Sequence, residues 1–409
     1  MSDSTPIRVC MLLGRYPPDF SGHGAQMWRT LPHLERQGVE PVVVTRACAP
    51  GVDWPFHDGE PVRRILPVGR DRITRARAVL ALRAYLRREH RRFDVLHSAL
   101  SDWEFFLNLP YLRRVGLPVL FEMILIGADD PVTLRNGRLG ALRSRLLENV
   151  DLWVGITDAF RPRTREAGIP EERFQRIYTG VDVERYRPAD AERRRALRER
   201  LRIPIDARVV VTVGALMPRK GVDRLLRAWE RLEPCPGKEL LLVVGPASEA
   251  EGLRPQYLEH VRELRARAGE PALAGTVRFT GRSDEVEDWL AASDVFAFLS
   301  RHEGLGTVTA EAMCCGLPCV ISPLDGIGHE LIDDGRTGYV VEDCDDPERV
   351  AAQLRELLAD PARRAAVGAA ALESARSRFS MEARAAQLAD AYRSLAARPR
   401  CGRGRHARR

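Results

Sequence analysis

The sequence predicts an α/β protein built from two Rossmann-like domains. Its 409 residues exceed one ordinary hydrophobic core and suit two domains of about 190 residues each. Each half also opens in the same way. Ile7–Leu13 is a short β-branched apolar run, followed by a Gly/Pro loop (residues 14–24), a helical pattern at Ala25–Arg36 and a second strand at Val42–Thr45. Val209–Val213 repeats the scheme, with a loop at Gly214–Gly221 and a helical pattern at Val222–Leu232. Strand, glycine loop, helix is the opening turn of a doubly wound sheet.

Composition narrows the class. Apolar residues make up 44% and charged residues 30%, the balance of a globular protein with a sizeable core. No run of 18 apolar residues offers a membrane-spanning helix, and the first twenty residues lack a basic start and long apolar centre. The eight cysteines form no C-x2-C pair; Cys314, Cys315 and Cys319 read as buried small side chains in a reducing compartment. The net charge of +7 is concentrated in six arginines from Arg398 onward, leaving +1 for residues 1–397. The body is near neutral and the tail is basic. The expected location is the cytoplasm, with peripheral contact at the inner membrane face.

Further elements follow in order. Arg72–Arg92 is an arginine-rich helix with an apolar stripe of Ile73, Val79, Leu80, Leu82 and Leu86. Its solvated-face reading stands beside a surface for anionic lipid head groups. Phe93–Ser98 is a strand carrying His97 at its end, and Pro118–Phe121 is the next. Ligands of open α/β sheets collect beyond such strand ends. Glu122, Asp129 and Asp130 are therefore candidates for contact with a ligand, alongside ordinary loop carboxylates. Val150–Ile156 and Phe174–Ile177 are strands, and Thr157-Asp158 sits where a helix cap belongs. In the second half Leu240–Val244, Val277–Gly281, Val295–Leu299, Cys319–Ile321 and Tyr339–Val341 read as strands. Ile327–Ile332, Asp346–Leu358 and Met381–Leu395 read as helices, and the end from Arg398 as a disordered basic tail.

The stretch Ser300–Thr307, continuing through Glu311 to Pro318, carries the chemistry. Gly304 and Gly306 permit backbone that side chains forbid and close approach by a ligand. A helix opening at Thr307 presents unbonded N–H groups and the positive end of its dipole, a phosphate site that needs no cationic side chain. Glu303 and Glu311 stand eight positions apart; eight helical residues rise about 12 Å, comparable to the distance from sugar to ribose in a sugar nucleotide.

This pattern, S-R-x-E-G-x-G followed by E-A-M-x-C-G-L-P between two apolar strands, resembles the donor-site signature of the retaining GT-B glycosyltransferases of group 1, family 4. Three further segments resemble the same family. Residues 14–24 resemble its P-P-x-x-G-G loop, residues 178–188 (Y-T-G-V-D…Y-x-P) its N-G-V-D…F-x-P hinge, and residues 214–221 its G-R-x-x-x-x-K-G loop. Two departures stand out: Ala215 replaces the loop's arginine, with Arg219 as its expected substitute, and no histidine follows the Pro118–Phe121 strand.

The resemblance implies two Rossmann-like domains facing across a cleft. These are an acceptor-side domain at 1–185, a nucleotide-sugar domain at 186–378, a terminal helix at 379–397 returning to the first domain, and the tail at 398–409. It implies transfer of a sugar, a hexose or similar, from a nucleotide-diphosphate donor to an acceptor with retained configuration. Glu303, Lys220 and Arg219 are the expected catalytic groups. Gly22, Gly24, Gly304, Leu305, Gly306, Thr307, Glu311, Gly281 and Arg282 are expected to bind the donor, and His97, Glu122, Asp129 and Asp130 to face the acceptor. No metal and no cofactor is implied, and no specific nucleic acid; the acceptor is open, a lipid-linked one included. A non-catalytic sugar-nucleotide-binding subunit and a GT-B epimerase or phosphorylase are the competing classes.

Overall fold

The computed structural model describes residues 6–19, 21–47, 62–69 and 71–398. The chain forms two compact units, one running to Gly180 and resuming at Met381, the other spanning Val181–Ser380. The breaks expected after residues 185 and 378 both fall inside the second unit. Beyond Arg398 the basic tail lies outside the described residues.

The first unit holds seven strands: β1 (Ile7–Leu12), β2 (Val39–Arg46), β3 (Val62–Leu66), β4 (Val95–Ser98), β5 (Val119–Met123), β6 (Leu152–Gly155) and β7 (Phe174–Arg176). Their order is β3-β2-β1-β4-β5-β6-β7, every neighbouring pair parallel. β2 begins earlier than its apolar run because Val39 pairs with Ile7, so the whole of β1 is matched. β3 escaped the sequence reading: it carries Arg63 and Arg64 and is paired on one side only, and charge on an edge strand blocks unwanted pairing.

The Gly22–Arg36 helix is capped by Ser21. It packs Met27, Leu31 and Leu34 against β1, and against the Met381–Ala396 helix. That last helix buries Ala385, Leu388, Tyr392 and Leu395 in the core of the first unit. The arginine-rich helix runs Arg72–Glu89, and a 3-10 turn, His90–Arg92, completes the expected span. Its inward face is Ala78, Leu82, Tyr85 and Leu86, at the spacing i, i+4, i+7, i+8 of one helical stripe. Ile73 and Leu80, assigned to that stripe from the sequence, instead face outward with about two thirds of their surface exposed. They are seven residues apart and share the opposite side.

The second unit holds β8 (Arg208–Val213), β9 (Glu239–Val244), β10 (Val277–Gly281), β11 (Val295–Phe298), β12 (Cys319–Ile321) and β13 (Gly338–Val340). Their order is β10-β9-β8-β11-β12-β13, again all parallel. Its core joins Val210, Leu241 and Val295 on the strands to Leu225, Trp229 and Leu354 on the Val222–Arg231 and Pro347–Ala359 helices. In both sheets the strand order reverses once, between β1 and β4 and between β8 and β11. Loops leaving the carboxyl ends of the two strands at such a point diverge and leave room for a ligand. Among the described residues no helix is long and apolar enough to cross a membrane.

Candidate functional site

At the reversal point of the second sheet, the loop after β8 and the loop after β11 meet. Pro218–Lys220 forms a 3-10 turn closed by Gly221 in the left-handed region, φ +67°. A Cβ on Gly221 would stand 1.9 Å from Leu299 O, so only glycine lets this turn press against the end of β11. Two hydrogen bonds from residues 300 and 301 to the Arg219 carbonyl fasten the loops: Arg301 N at 2.7 Å and Ser300 Oγ at 2.8 Å. Arg301 also reaches back to Asp223 in a bidentate pair, 2.9 and 2.7 Å.

Residues 83 and 84 positions apart in the chain thereby converge on one atom. Glu303 Oε1 lies 2.7 Å from Lys220 Nζ, 2.7 Å from Arg219 Nη1 and 2.7 Å from Ser300 Oγ. Arg219 Nη1 also donates to His302 O at 2.9 Å. Lys220 Nζ sits 5.0 Å from the centre of the Phe298 ring, a cation–π contact that fixes the stem. Burial alone would raise the Glu303 carboxyl, but Lys220 and then Arg219 outweigh it and hold the group below the usual carboxylate range. The same burial lowers the Lys220 ammonium, against the pull of Glu303.

Next along the chain, Gly306 adopts the left-handed conformation (φ +76°) and opens the Thr307–Cys314 helix, whose N-terminus carries no side-chain cap. The positive end of that helix dipole is therefore unanswered by its own sequence. Only Thr307–Glu311 of the interval between the two glutamates is helical, about 6 Å of rise; Glu303 itself belongs to the loop. Leu305 is buried, so its side chain serves the core and only its backbone faces the loop. Gly281 ends β10 and Arg282 follows it, two strands from β8, a lateral distance of about 10 Å. Arg282 is exposed and pairs with Asp284 at 3.3 Å.

In the first unit the four residues expected to face the acceptor are buried. Glu122 and His97 are 0% exposed. Glu122 Oε1 accepts from Arg384 Nη2 at 2.6 Å, and Oε2 lies 3.1 Å from His97 Nε2. His97 Nδ1 lies 2.7 Å from Tyr392 Oη. With the carboxylate accepting, Nε2 carries the ring proton and Nδ1 takes the tyrosine's. These groups bind the terminal helix to β4 and β5. Burial presses the Glu122 carboxyl upward, but Arg384, then His23 and His97, keep it well below its ordinary value.

Asp129 and Asp130 are internal too. Asp129 accepts from Ile124 N and Leu125 N and is pushed up to about 7 by burial. Asp130 caps the Pro131–Asn136 helix through Thr133 N at 3.0 Å and pairs with Arg163 at 3.1 Å. Both close the 124–130 turn. Gly22 and Gly24 fall in the first turn of their helix, and a Cβ on Gly24 would stand 2.3 Å from Arg15 O. Gly24 thus lets that helix press close against the loop after β1.

Sequence reasoning passed over Ser300 and His23. Ser300 was visible as the first residue of S-R-x-E, but nothing local says its hydroxyl would meet Glu303. His23 Nε2 lies 3.6 Å from Glu122 Oε2, and burial lowers the imidazole to about 4.

Comparison with known proteins bears on this geometry. The sequence pattern described as Glycosyltransferase Family 4 matches residues 20–185, and that described as Glycosyl transferases group 1 matches residues 207–360. A D-inositol 3-phosphate glycosyltransferase of Xylanimonas cellulosilytica is 31% identical over 385 residues, 88% of each chain. The chain belongs to the group 1, family 4 glycosyltransferases. This glycosyltransferase is also 34% identical over 259 residues to a Mycolicibacterium smegmatis mannosyltransferase, covering 61% of the one and 64% of the other. That relative is named as a GDP-mannose-dependent alpha-(1-6)-phosphatidylinositol monomannoside mannosyltransferase.

Among solved structures, HepE of Anabaena in complex with UDP superposes with a TM-score of 0.75 at 20% identity, covering 95% of this chain and 100% of its own. Sucrose-phosphate synthase of Thermosynechococcus elongatus does so with 0.76 at 22% identity, covering 95% and 99%. At such identities the likeness speaks for the GT-B fold.

Proposed function

We propose that the glycosyltransferase moves a sugar from a nucleotide-diphosphate donor to an acceptor with retention of configuration and without a metal ion. The observation that carries this reading is the meeting of Lys220, Arg219 and Ser300 on one oxygen of Glu303, beside an uncapped helix N-terminus. Two cations, with a helix N-terminus four residues along the chain from Glu303, suit negative charge that grows on a departing diphosphate. Lys220 and Arg219 take that charge, and Arg219 fills the role of the arginine that Ala215 lacks. Glu303, held ionised, orients the sugar hydroxyls. Glu311, inside the helix, holds the ribose diol; Gly281 and Arg282 lie toward the base.

No nucleophile and base pair is needed if the leaving phosphate itself accepts the proton of the attacking hydroxyl. As that hydroxyl bonds to the anomeric carbon, the bond to the diphosphate breaks and the proton passes to the diphosphate oxygen. The names of the curated relatives favour an inositol-bearing acceptor.

The test is incubation with a panel of UDP- and GDP-sugars, with and without D-myo-inositol 3-phosphate, following nucleoside diphosphate release. We expect one donor to turn over, the product anomer to match the donor by NMR coupling, and chelator to leave the rate unchanged. Inverted product would overturn the retaining assignment, and loss of activity in chelator the metal-free one.

A further inference from the structure

Arg301 follows Ser300 in the loop after β11, two residues before Glu303, and takes no part in the donor chemistry above. Its side chain reaches out of its own loop. Nη1 donates to Pro218 O at 2.6 Å and to Asp223 Oδ1 at 2.9 Å, and Nη2 donates to Asp223 Oδ2 at 2.7 Å. Its backbone N–H donates to the next carbonyl of the same turn, Arg219 O, at 2.7 Å. One residue thus fastens two consecutive carbonyls of the 218–220 turn and the first turn of the Val222–Arg231 helix.

The loop that carries Arg301 is itself held. Ser322 Oγ, just past β12, donates to Ser300 O at 2.5 Å, and Gly221 lies against Leu299 O. The guanidinium therefore works from a fixed base, and what it orients is the turn bearing Arg219 and Lys220. Asp223 depends on it. The other cation near that carboxylate, Arg227, stands 3.8 Å away and lies closer to Asp345, at 3.4 Å. Burial presses the Asp223 carboxyl upward, but the hydrogen bonds and charge of Arg301 hold it below its ordinary value. A planar fork spans both Asp223 oxygens and a carbonyl together, whereas an ammonium is a single point. The two side chains are 36% and 31% exposed, so their pairing adds little to global stability. Its effect is local: it sets the place from which two cations act.

We infer that Arg301 is a positioning residue of the transfer, clamping the 218–220 turn so that Arg219 and Lys220 meet the diphosphate in register. The inference rests on the donor reading above and adds what holds its cations in place. In this structure both cations share the Glu303 carboxylate. When a diphosphate arrives, their side chains must reach it from a backbone that does not yield, since a displacement of about 1 Å can cost about 10²-fold in rate.

Steady-state kinetics of the full chain on the panel of UDP- and GDP-sugars tests it, with the variants R301A, R301K, D223N and R301A/D223N and a melting temperature for each. We expect kcat of R301A to lie at least about tenfold below wild type, with donor KM and melting temperature little changed. R301K, which keeps the charge without the fork, should stay near R301A. Added guanidinium ion should restore part of the R301A rate where ammonium does not. The double variant should be no slower than R301A, because both substitutions open one clamp. A wild-type rate in R301A or R301K overturns the inference, as does a loss of rate that only follows a falling melting temperature; each leaves the donor reading standing. A wild-type chain that turns over no nucleotide sugar and binds no nucleoside diphosphate overturns the donor reading, and this inference with it.

Discussion

Glu122 and Glu303 are both buried carboxylates beside cations, and they differ in what else surrounds them. Glu303 meets its partners in loops at a strand-order reversal, where Arg219 remains 43% exposed. Glu122 meets Arg384 with both side chains essentially sealed, 0% and 1% exposed. Replacing Glu122 with Gln strands a buried guanidinium, so we expect a loss of about 3–5 kcal/mol of stability at pH 7, read from the urea midpoint. Because the folded carboxyl titrates below its unfolded value of about 4.3, its contribution is complete above that pH. It is lost as the pH falls through the lower, folded value. The gap between wild type and E122Q should therefore narrow in acid, and a gap independent of pH would contradict this assignment. Such side chains mark where sequence reading ended. Glu122, Asp129 and Asp130 look like loop carboxylates beyond a strand, and the partner that decides the role of Glu122 lies 262 residues away.

At the scale of elements, the strands were legible where apolar runs are buried, as in β1, β8 and β11. β3 was hidden by its arginines. The Pro361–Phe379 helix was hidden because its inward stripe is Val367, Gly368, Ala371 and Ala375, too small to contrast with its alanine-rich flanks. The site turn was legible because it depends on glycine at a fixed place after a strand. Gly221→Ala tests that dependence. A Cβ 1.9 Å from Leu299 O at φ +67° forces the turn away from β11, at a backbone cost of about 1–2 kcal/mol before any clash. We expect a lower melting temperature and at least a tenfold fall in donor turnover. Unchanged turnover would mean the Lys220 turn need not touch β11.

Taken whole, the molecule is two doubly wound units with separate cores, and the chain passes between them at Gly180 and again after Ser380. The last helix returns to the first unit, where Tyr392 and Arg384 complete the bonding of His97 and Glu122. At its reversal point the second sheet presents a carboxylate with two cations beside a helix terminus. A nucleoside diphosphate held as proposed would close local opening in the segments that grip it. The most direct measurement is amide hydrogen exchange of the full chain with and without UDP and GDP. The account predicts slowed exchange concentrated in residues 214–221 and 300–314. Protection confined to residues 6–180, with those two segments unchanged, would contradict it.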